Sequence, residues 1–189
     1  MRRTVLFFTA VAVMVVVAAG VALAAVLVGT NGNNTQNGTP NPDRIYGLDG
    51  KDTQAGGQGD DYLEGGSAGD TSRGAAENDL ISGGDGQDTL GSETRERGDD
   101  VLEGSDGPDT INGGDGQDLI YGGRGSDDLD GNNDADLVIS VDGSLNDTVD
   151  GGDSPQGTSD VCVVDANLLV EETNSGCEDV FPVETPDYP

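Results

Sequence analysis

The residues best placed to do chemistry are aspartates in phase. Asp43, Asp52, Asp61, Asp70, Asp79 and Asp88 stand nine residues apart. Asp100, Asp109, Asp118, Asp127 and Asp136 resume that spacing after a three-residue insertion, and Asp147 and Asp160 continue it more loosely. Most of these aspartates close a glycine-rich stretch, as in GGDGQD at 83–88 and again at 113–118. Glycine permits positive φ and close approach of the main chain to a ligand. Such a stretch can turn several carbonyls toward one centre, to which the Asp adds a carboxylate. Carbonyl and carboxylate oxygens on a flexible turn suit Ca2+, which takes 6–8 oxygen ligands. They suit transition metals poorly, because the chain has no His and its two Cys lie outside the repeats.

The elements that must position these groups follow from the same period. The unit reads G-G-x-G-x-D-x-U-x, with U large and apolar, as in GGDGQDTLG (83–91), GSDGPDTIN (104–112), GGDGQDLIY (113–121) and GGRGSDDLD (122–130). A fixed short period marks a solenoid. Six residues make a turn and x-U-x makes a short strand whose single inward side chain is U. Two units complete a coil of eighteen residues, so alternate units lie above one another. One inward column is then Ile45, Leu63, Ile81, Leu102, Ile120 and Val138, and the other is Gln54, Ser72, Leu90, Ile111, Leu129 and Val149. Both polar interruptions fall early in the second column, which predicts a weaker N-terminal half. About six coils at the usual strand spacing of roughly 4.8 Å give a rod of about 30 Å.

Composition removes other readings. The 189 residues carry 37 acidic and 8 basic side chains, a formal charge of −29, with 4% aromatic residues. Without His there is no Ser/His/Asp or Cys/His catalytic site, and no His-ligated zinc or haem. The charge opposes nucleic-acid phosphates, so no nucleic-acid partner is expected. Low hydrophobicity with high charge also fits a disordered polyanion binding cations diffusely; the in-phase glycines and aspartates argue for order. DGNNDAD at 130–136 begins like an EF-hand loop but has Ala135 at the required Gly and Val141 at the closing Glu.

These units resemble the RTX (repeats-in-toxin, or haemolysin-type) calcium-binding repeat over residues 38–150. The resemblance implies an all-β parallel β-roll, a right-handed β-solenoid, holding several Ca2+ ions. It implies that each ion lies between a turn and the turn two units later, held by the sixth-position Asp and by carbonyls. Asp88 and Asp109 would flank one site, Asp100 and Asp118 another, and Asp109 and Asp127 a third. Gly83, Gly86, Gly104, Gly107, Gly113, Gly116, Gly122 and Gly125 match the family's turn glycines. The candidate metal set is completed by Asp85, Asp106 and Asp115 within the same turns and by Asp61, Asp79 and Asp136 in phase with them. Several turns depart from the pattern. Glu77 replaces a turn glycine, GNNDAD at 131–136 is atypical, and RERGDD at 95–100 brings Arg95 and Arg97 beside a proposed site.

The two ends differ from the middle. Arg2 and Arg3 precede an apolar run from Val5 to Val28, and Ala22-Leu23-Ala24 offers a small-residue exit. That pattern describes a secretory signal peptide cleaved after Ala24. The run also reaches the roughly 20 residues needed to span a bilayer, so a retained anchor to about residue 28 is the alternative. Both place the remainder outside the cytoplasm, with a membrane association only if the segment is retained. Residues 25–37 read as a flexible polar linker. Residues 151–189 read as a cap and tail. Cys162 falls at the U position and Cys177 follows fifteen residues later. Two Cys in an exported chain are expected to pair, and closing that loop is worth about 3 kcal/mol.

The expected function is therefore a non-enzymatic, secreted or surface-held calcium-binding protein whose roll folds as calcium binds. The alternatives are an adhesin or matrix component binding a cell-surface or matrix partner through the roll, an accessory of an enzyme or toxin, and the disordered polyanion.

Overall fold

A computed structural model describes residues 23–91, 98–143, 146–153, 159–165, 176–177 and 179–183. The candidate signal sequence through residue 22, and Arg95 and Arg97, lie outside the described residues. The chain is a β-solenoid in which every strand pair is parallel, with no helix among the described residues. Its strands are β1 (Val26–Val28), β2 (Thr35–Asn37), β3 (Arg44–Asp49), β4 (Thr53–Gln58), β5 (Tyr62–Ser67), β6 (Thr71–Ala76), β7 (Leu80–Asp85) and β8 (Thr89–Gly91). They continue as β9 (Val101–Asp106), β10 (Thr110–Asp115), β11 (Leu119–Arg124), β12 (Asp128–Asn133), β13 (Leu137–Ser140), β14 (Thr148–Asp150), β15 (Val161–Asp165) and β16 (Asp179–Val183). One sheet has the order β1-β3-β5-β7-β9-β11-β13-β15-β16, and the other β14-β12-β10-β8-β6-β4-β2. The seven strands of the second sheet correspond to about seven coils.

Register follows the eighteen-residue arithmetic. Ile45 pairs with Leu63, Leu63 with Ile81, Leu102 with Ile120, and Ile120 with Val138. In the opposite sheet Gln54 pairs with Ser72, Ser72 with Leu90, Leu90 with Ile111, and Ile111 with Leu129. Across the three-residue insertion Ile81 still pairs with Leu102, so the insertion leaves both columns in line. Each apolar U residue is at most 1% exposed, and together with Cys162 and Val164 they form the core cluster. The core is one side chain deep from each sheet, because only U points inward from each x-U-x segment.

The polar interruptions are built in rather than tolerated as gaps. Ser72 Oγ donates to Gln54 Oε1 (3.0 Å), and Gln54 Nε2 donates to Gln36 Oε1 (3.3 Å) and to the Glu64 carbonyl (3.0 Å). Gln36 Nε2 donates to the Tyr46 carbonyl (3.1 Å). A buried amide without such partners would cost a few kcal/mol, on the order of 1–3.

Two sequence expectations are amended. The strands run longer than x-U-x, mostly six residues, extending through the first glycines of the next turn. Residues 25–37, expected to be a flexible linker, carry β1 and β2. β1 pairs with β3 and β2 with β4. The spacer therefore supplies an extra coil, in which Leu27 and Gln36 prolong the two inward columns. The cap contains the expected disulfide: Cys162 and Cys177 are bonded, with Cα atoms 5.8 Å apart.

Candidate metal centre

The turns owe their shape to two left-handed positions, the second and fourth of each unit. Gly84 has φ 105° and Gly86 φ 151°. Where the sequence departs from glycine the backbone still has positive φ: Leu48, Ala75, Ser105 and Asn132 at the second position, and Ala68, Glu77 and Asp134 at the fourth, all lie between 73° and 85°. Stacking thus imposes the conformation, at about 1–3 kcal/mol for each non-glycine residue held there. At the fourth position there is also no room, since a Cβ on Gly107 would run into the Gly86 carbonyl oxygen of the neighbouring coil.

Turns of alternate units stack into two rows, and in each row the sixth-position Asp forms a ladder. The N–H of Asp43 donates to Oδ1 of Asp61 (2.7 Å), and that of Asp61 to Asp79 (2.8 Å). The ladder crosses the insertion from Asp79 to Asp100 (2.7 Å) and goes on to Asp118 and Asp136 (2.8 Å each). The other row runs from Asp52 through Asp70 and Asp88 to Asp109, Asp127 and Asp147. Asp88 with Asp109, Asp100 with Asp118 and Asp109 with Asp127, the pairs that the resemblance implies, are therefore direct neighbours.

These bonds use one carboxylate oxygen and leave the other stranded. Oδ2 of Asp52, Asp61, Asp70, Asp79, Asp88, Asp109, Asp118, Asp127 and Asp136 is buried with no hydrogen-bond partner. Buried polar atoms are rarely left so; here one recurs in turn after turn. For Asp52, Asp61, Asp70, Asp79, Asp88, Asp109, Asp118, Asp127 and Asp136 the stranded oxygen faces a recess kept open by a glycine. A Cβ on Gly113 would sit 2.5 Å from Asp118 Oδ2 and 2.8 Å from the Gly131 carbonyl oxygen. One on Gly65 would sit 2.5 Å from both Asp70 Oδ2 and the Gly83 oxygen. Carboxylate and carbonyl oxygens converge on this glycine-kept space along both rows, with the carboxylates stacked coil upon coil.

Electrostatics make the same point. Burial, opposed by the N–H bond and reinforced by neighbouring carboxylates, pushes Asp79 and Asp136 up to about 8. The same causes bring Asp109 and Asp118 to about 7, and Asp61, Asp70 and Asp127 to about 6. Asp52 and Asp88 are raised by burial against the N–H bond, Asp88 also by the charge of Asp85. Rows of buried carboxylates resist ionisation unless a cation accompanies them. The donor set is all oxygen and fits Ca2+ rather than a soft metal. Among the described residues no group of three or more acidic or thiol side chains is arranged to hold a metal. Ligands beyond the Asp pairs would therefore be main-chain carbonyls, as a glycine turn provides.

The candidate residues divide by place. Asp61, Asp79, Asp88, Asp100, Asp109, Asp118, Asp127 and Asp136 are buried in the ladders, and Gly83, Gly104, Gly113 and Gly122 line the recesses. Asp85, Asp106 and Asp115 stand on the outer rim. Asp106 forms an ion pair with Arg124 at 3.4 Å with both side chains more than half exposed, and Asp115 accepts from Asn133 Nδ2 (2.7 Å). Asp85 nevertheless lies near enough to Asp88 for its charge to raise that carboxyl. Asn34, eighteen residues before Asp52, starts the second ladder by donating its N–H to Asp52 Oδ1 (2.6 Å). The spacing rule could have found it had Asn been admitted beside Asp.

No curated protein and no solved structure matches this chain. A family model described as the RTX calcium-binding nonapeptide repeat (4 copies) matches residues 28–63, 64–93, 96–129, 103–138 and 118–144. The matches cover well over half of the chain and coincide with the stacked turns and their Asp ladders. The chain belongs to the RTX calcium-binding nonapeptide repeat family.

Proposed function

We propose that this protein is an exported, non-enzymatic calcium binder whose solenoid assembles as its turns take up Ca2+. The observation that carries the reading is the repeated stranded Oδ2, buried beside a carbonyl in a glycine-kept recess. Asp88, Asp100, Asp109, Asp118 and Asp127, with carbonyls of the turns beginning at Gly83, Gly104, Gly113 and Gly122, would hold the ions, and Asp61, Asp79 and Asp136 extend the rows. A divalent cation supplies the positive charge these rows lack. Without it, carboxylate repulsion and a core one side chain deep oppose the entropy of ordering. Metal binding and folding are then one event. The disulfide and the basic, apolar N-terminus favour an extracellular place, where affinities of about 10⁻⁴–10⁻³ M suffice.

The test is a Ca2+ titration of the full chain followed by far-UV circular dichroism, with Mg2+ as control. A cooperative coil-to-β transition specific to Ca2+ is expected. Absence of any transition at millimolar Ca2+ would sink the reading.

Partner binding through the roll has one observation in its favour. The outward position before U on the first sheet reads Leu80, Val101, Leu119, Leu137 and Val161, in register from β7 to β15. The same position on the second sheet reads Thr35, Thr53, Thr71, Thr89 and Thr110. The double variant Leu80→Asp/Leu119→Asp should lower retention on cell surfaces while leaving the calcium transition intact; unchanged retention would dismiss this second reading.

A further inference from the structure

Beyond the last regular repeat, three acidic residues gather around the turn that follows β13. Asp142 and Asp165 stand outside the nine-residue phase, and Asp147 closes the turn. Asp165, the final residue of β15, folds its carboxylate back onto this turn. Its Oδ2 accepts the N–H of Gly143 (2.7 Å) and of Asp142 (3.2 Å). Asp142 in turn accepts the N–H of Gly125 on the preceding turn (2.9 Å). Asp147 Oδ1 accepts the N–H of Asp127 (3.0 Å), and its Oδ2 accepts Ser140 Oγ (2.5 Å). The negative charges of Asp142 and Asp165 both bear on Asp147.

A capping role alone accounts for Asp165 Oδ2. It leaves Asp165 Oδ1 unexplained: the residue is 3% exposed, and this oxygen has no hydrogen-bond partner. A buried carboxylate oxygen left bare beside two further carboxylates calls for a proton or a cation, and in its ionised form for a cation. No basic residue lies between Arg124 and the C-terminus to provide one.

We infer that Asp165, with Asp142 beside it, forms an additional Ca2+ site that closes the C-terminal end of the solenoid, at the end of the nonapeptide repeats and apart from their Asp ladders. Asp147 adds charge to this end while its oxygens stay committed to Asp127 and Ser140. The remaining ligands are main-chain carbonyls of residues 140–143 and water, since among the described residues no three carboxylates are arranged to hold a metal. The ion would tie β15 to the last full turn, at the coil next to the Cys162–Cys177 disulfide. The site adds to the calcium chemistry proposed for the repeats but uses none of their recesses.

The experiment counts ions. The full-length parent chain and the variants Asp165→Asn, Asp142→Asn and the double variant are dialysed to equilibrium against radioactive Ca2+, with Asp88→Asn as a repeat-site control. Asn keeps an acceptor for the two N–H groups, so capping survives while the second anionic oxygen is lost. Asp165→Asn and Asp142→Asn are each expected to bind one ion fewer than the parent, and the double variant also only one fewer. An unchanged count in Asp165→Asn, or two ions lost in the double variant, overturns the site. If Asp165→Asn does not reach the parent's circular dichroism in Ca2+, Asp142→Asn decides alone by the same count. A parent that binds a single ion, lost in Asp165→Asn, would keep this site while the repeat reading fell; a parent that binds none would overturn both.

Discussion

The N-terminal and C-terminal halves of the solenoid share one turn geometry and one pair of Asp ladders but differ in what fills them. From β2 to β6 the second inward column is Gln36, Gln54 and Ser72, joined by side-chain hydrogen bonds. From β8 to β14 the same column is Leu90, Ile111, Leu129 and Val149. The left-handed positions do not divide the halves: non-glycine residues hold some of them in both, Leu48, Ala68, Ala75 and Glu77 in the first and Ser105, Asn132 and Asp134 in the second. The ladder is indifferent to these differences because it is made by backbone N–H groups and the in-phase Asp alone. Register is thus set by the turns, and stability by the columns.

The largest effect expected concerns the ladders of both halves together. A carboxyl raised from its ordinary 3.8 stabilises the calcium-free fold while protonated. That support is complete below about pH 4 and is lost as the pH rises through the range from 6 to 8 where Asp61, Asp109, Asp118, Asp79 and Asp136 ionise. Calcium-free protein should therefore gain β-structure on acidification to pH 4, seen by circular dichroism. Apparent Ca2+ affinity should fall as pH drops from 8 to 6, because protons compete for the same oxygens. Calcium binding independent of pH over that range would contradict the buried-carboxylate account.

Next in size, Leu129→Ala should cost about 2–5 kcal/mol in calcium-saturated protein, the usual range for a buried Leu. Ser72→Ala, which removes one link of the polar ladder, should cost only about 1 kcal/mol. Denaturant melts at fixed Ca2+ would measure both, and equal losses would erase the distinction between the halves. Replacing Gln36, Gln54 and Ser72 together by Leu should stabilise the first half by about 1–3 kcal/mol, since no side-chain partner is left unpaired and the Tyr46 carbonyl keeps the N–H of Gly29. Gln54→Leu alone should not, because it strands Gln36 and Ser72. Hydrogen exchange should show slower opening of β4 and β6 in the triple variant; unchanged exchange there would refute the weak-half reading.

The smallest effect is local. Glu77→Gly and Ala75→Gly should each stabilise by about 1 kcal/mol, relieving a left-handed residue. A drop in melting temperature for both would show that those turns are not strained.

Much of this was legible in the chain because the fold is periodic. The nine-residue spacing predicts both inward columns, residue by residue, and the family resemblance implies the pairing of Asp88 with Asp109. Residues 25–37 were harder to place, because a coil without an in-phase Asp or a strong apolar U looks like a polar spacer. What makes them strands is the edge of β3 and β4, whose unpaired groups they satisfy. Asp85, Asp106 and Asp115 could not be told from ladder residues by spacing, since they lie in the same turns; burial separates them, for the ladder aspartates are buried and these three are exposed or half-buried.

The sequence by itself determined the coil length, the inward residues and the sixth-position carboxylates, because a short repeat with one apolar residue per strand admits one way of stacking. The tertiary structure decided which oxygens are spent and which are stranded. That Asp118 gives Oδ1 to Asp100 and leaves Oδ2 bare, and that Asp165 turns back onto residues 142 and 143, depends on main-chain N–H groups from other coils. Their directions are fixed only once the coils are stacked.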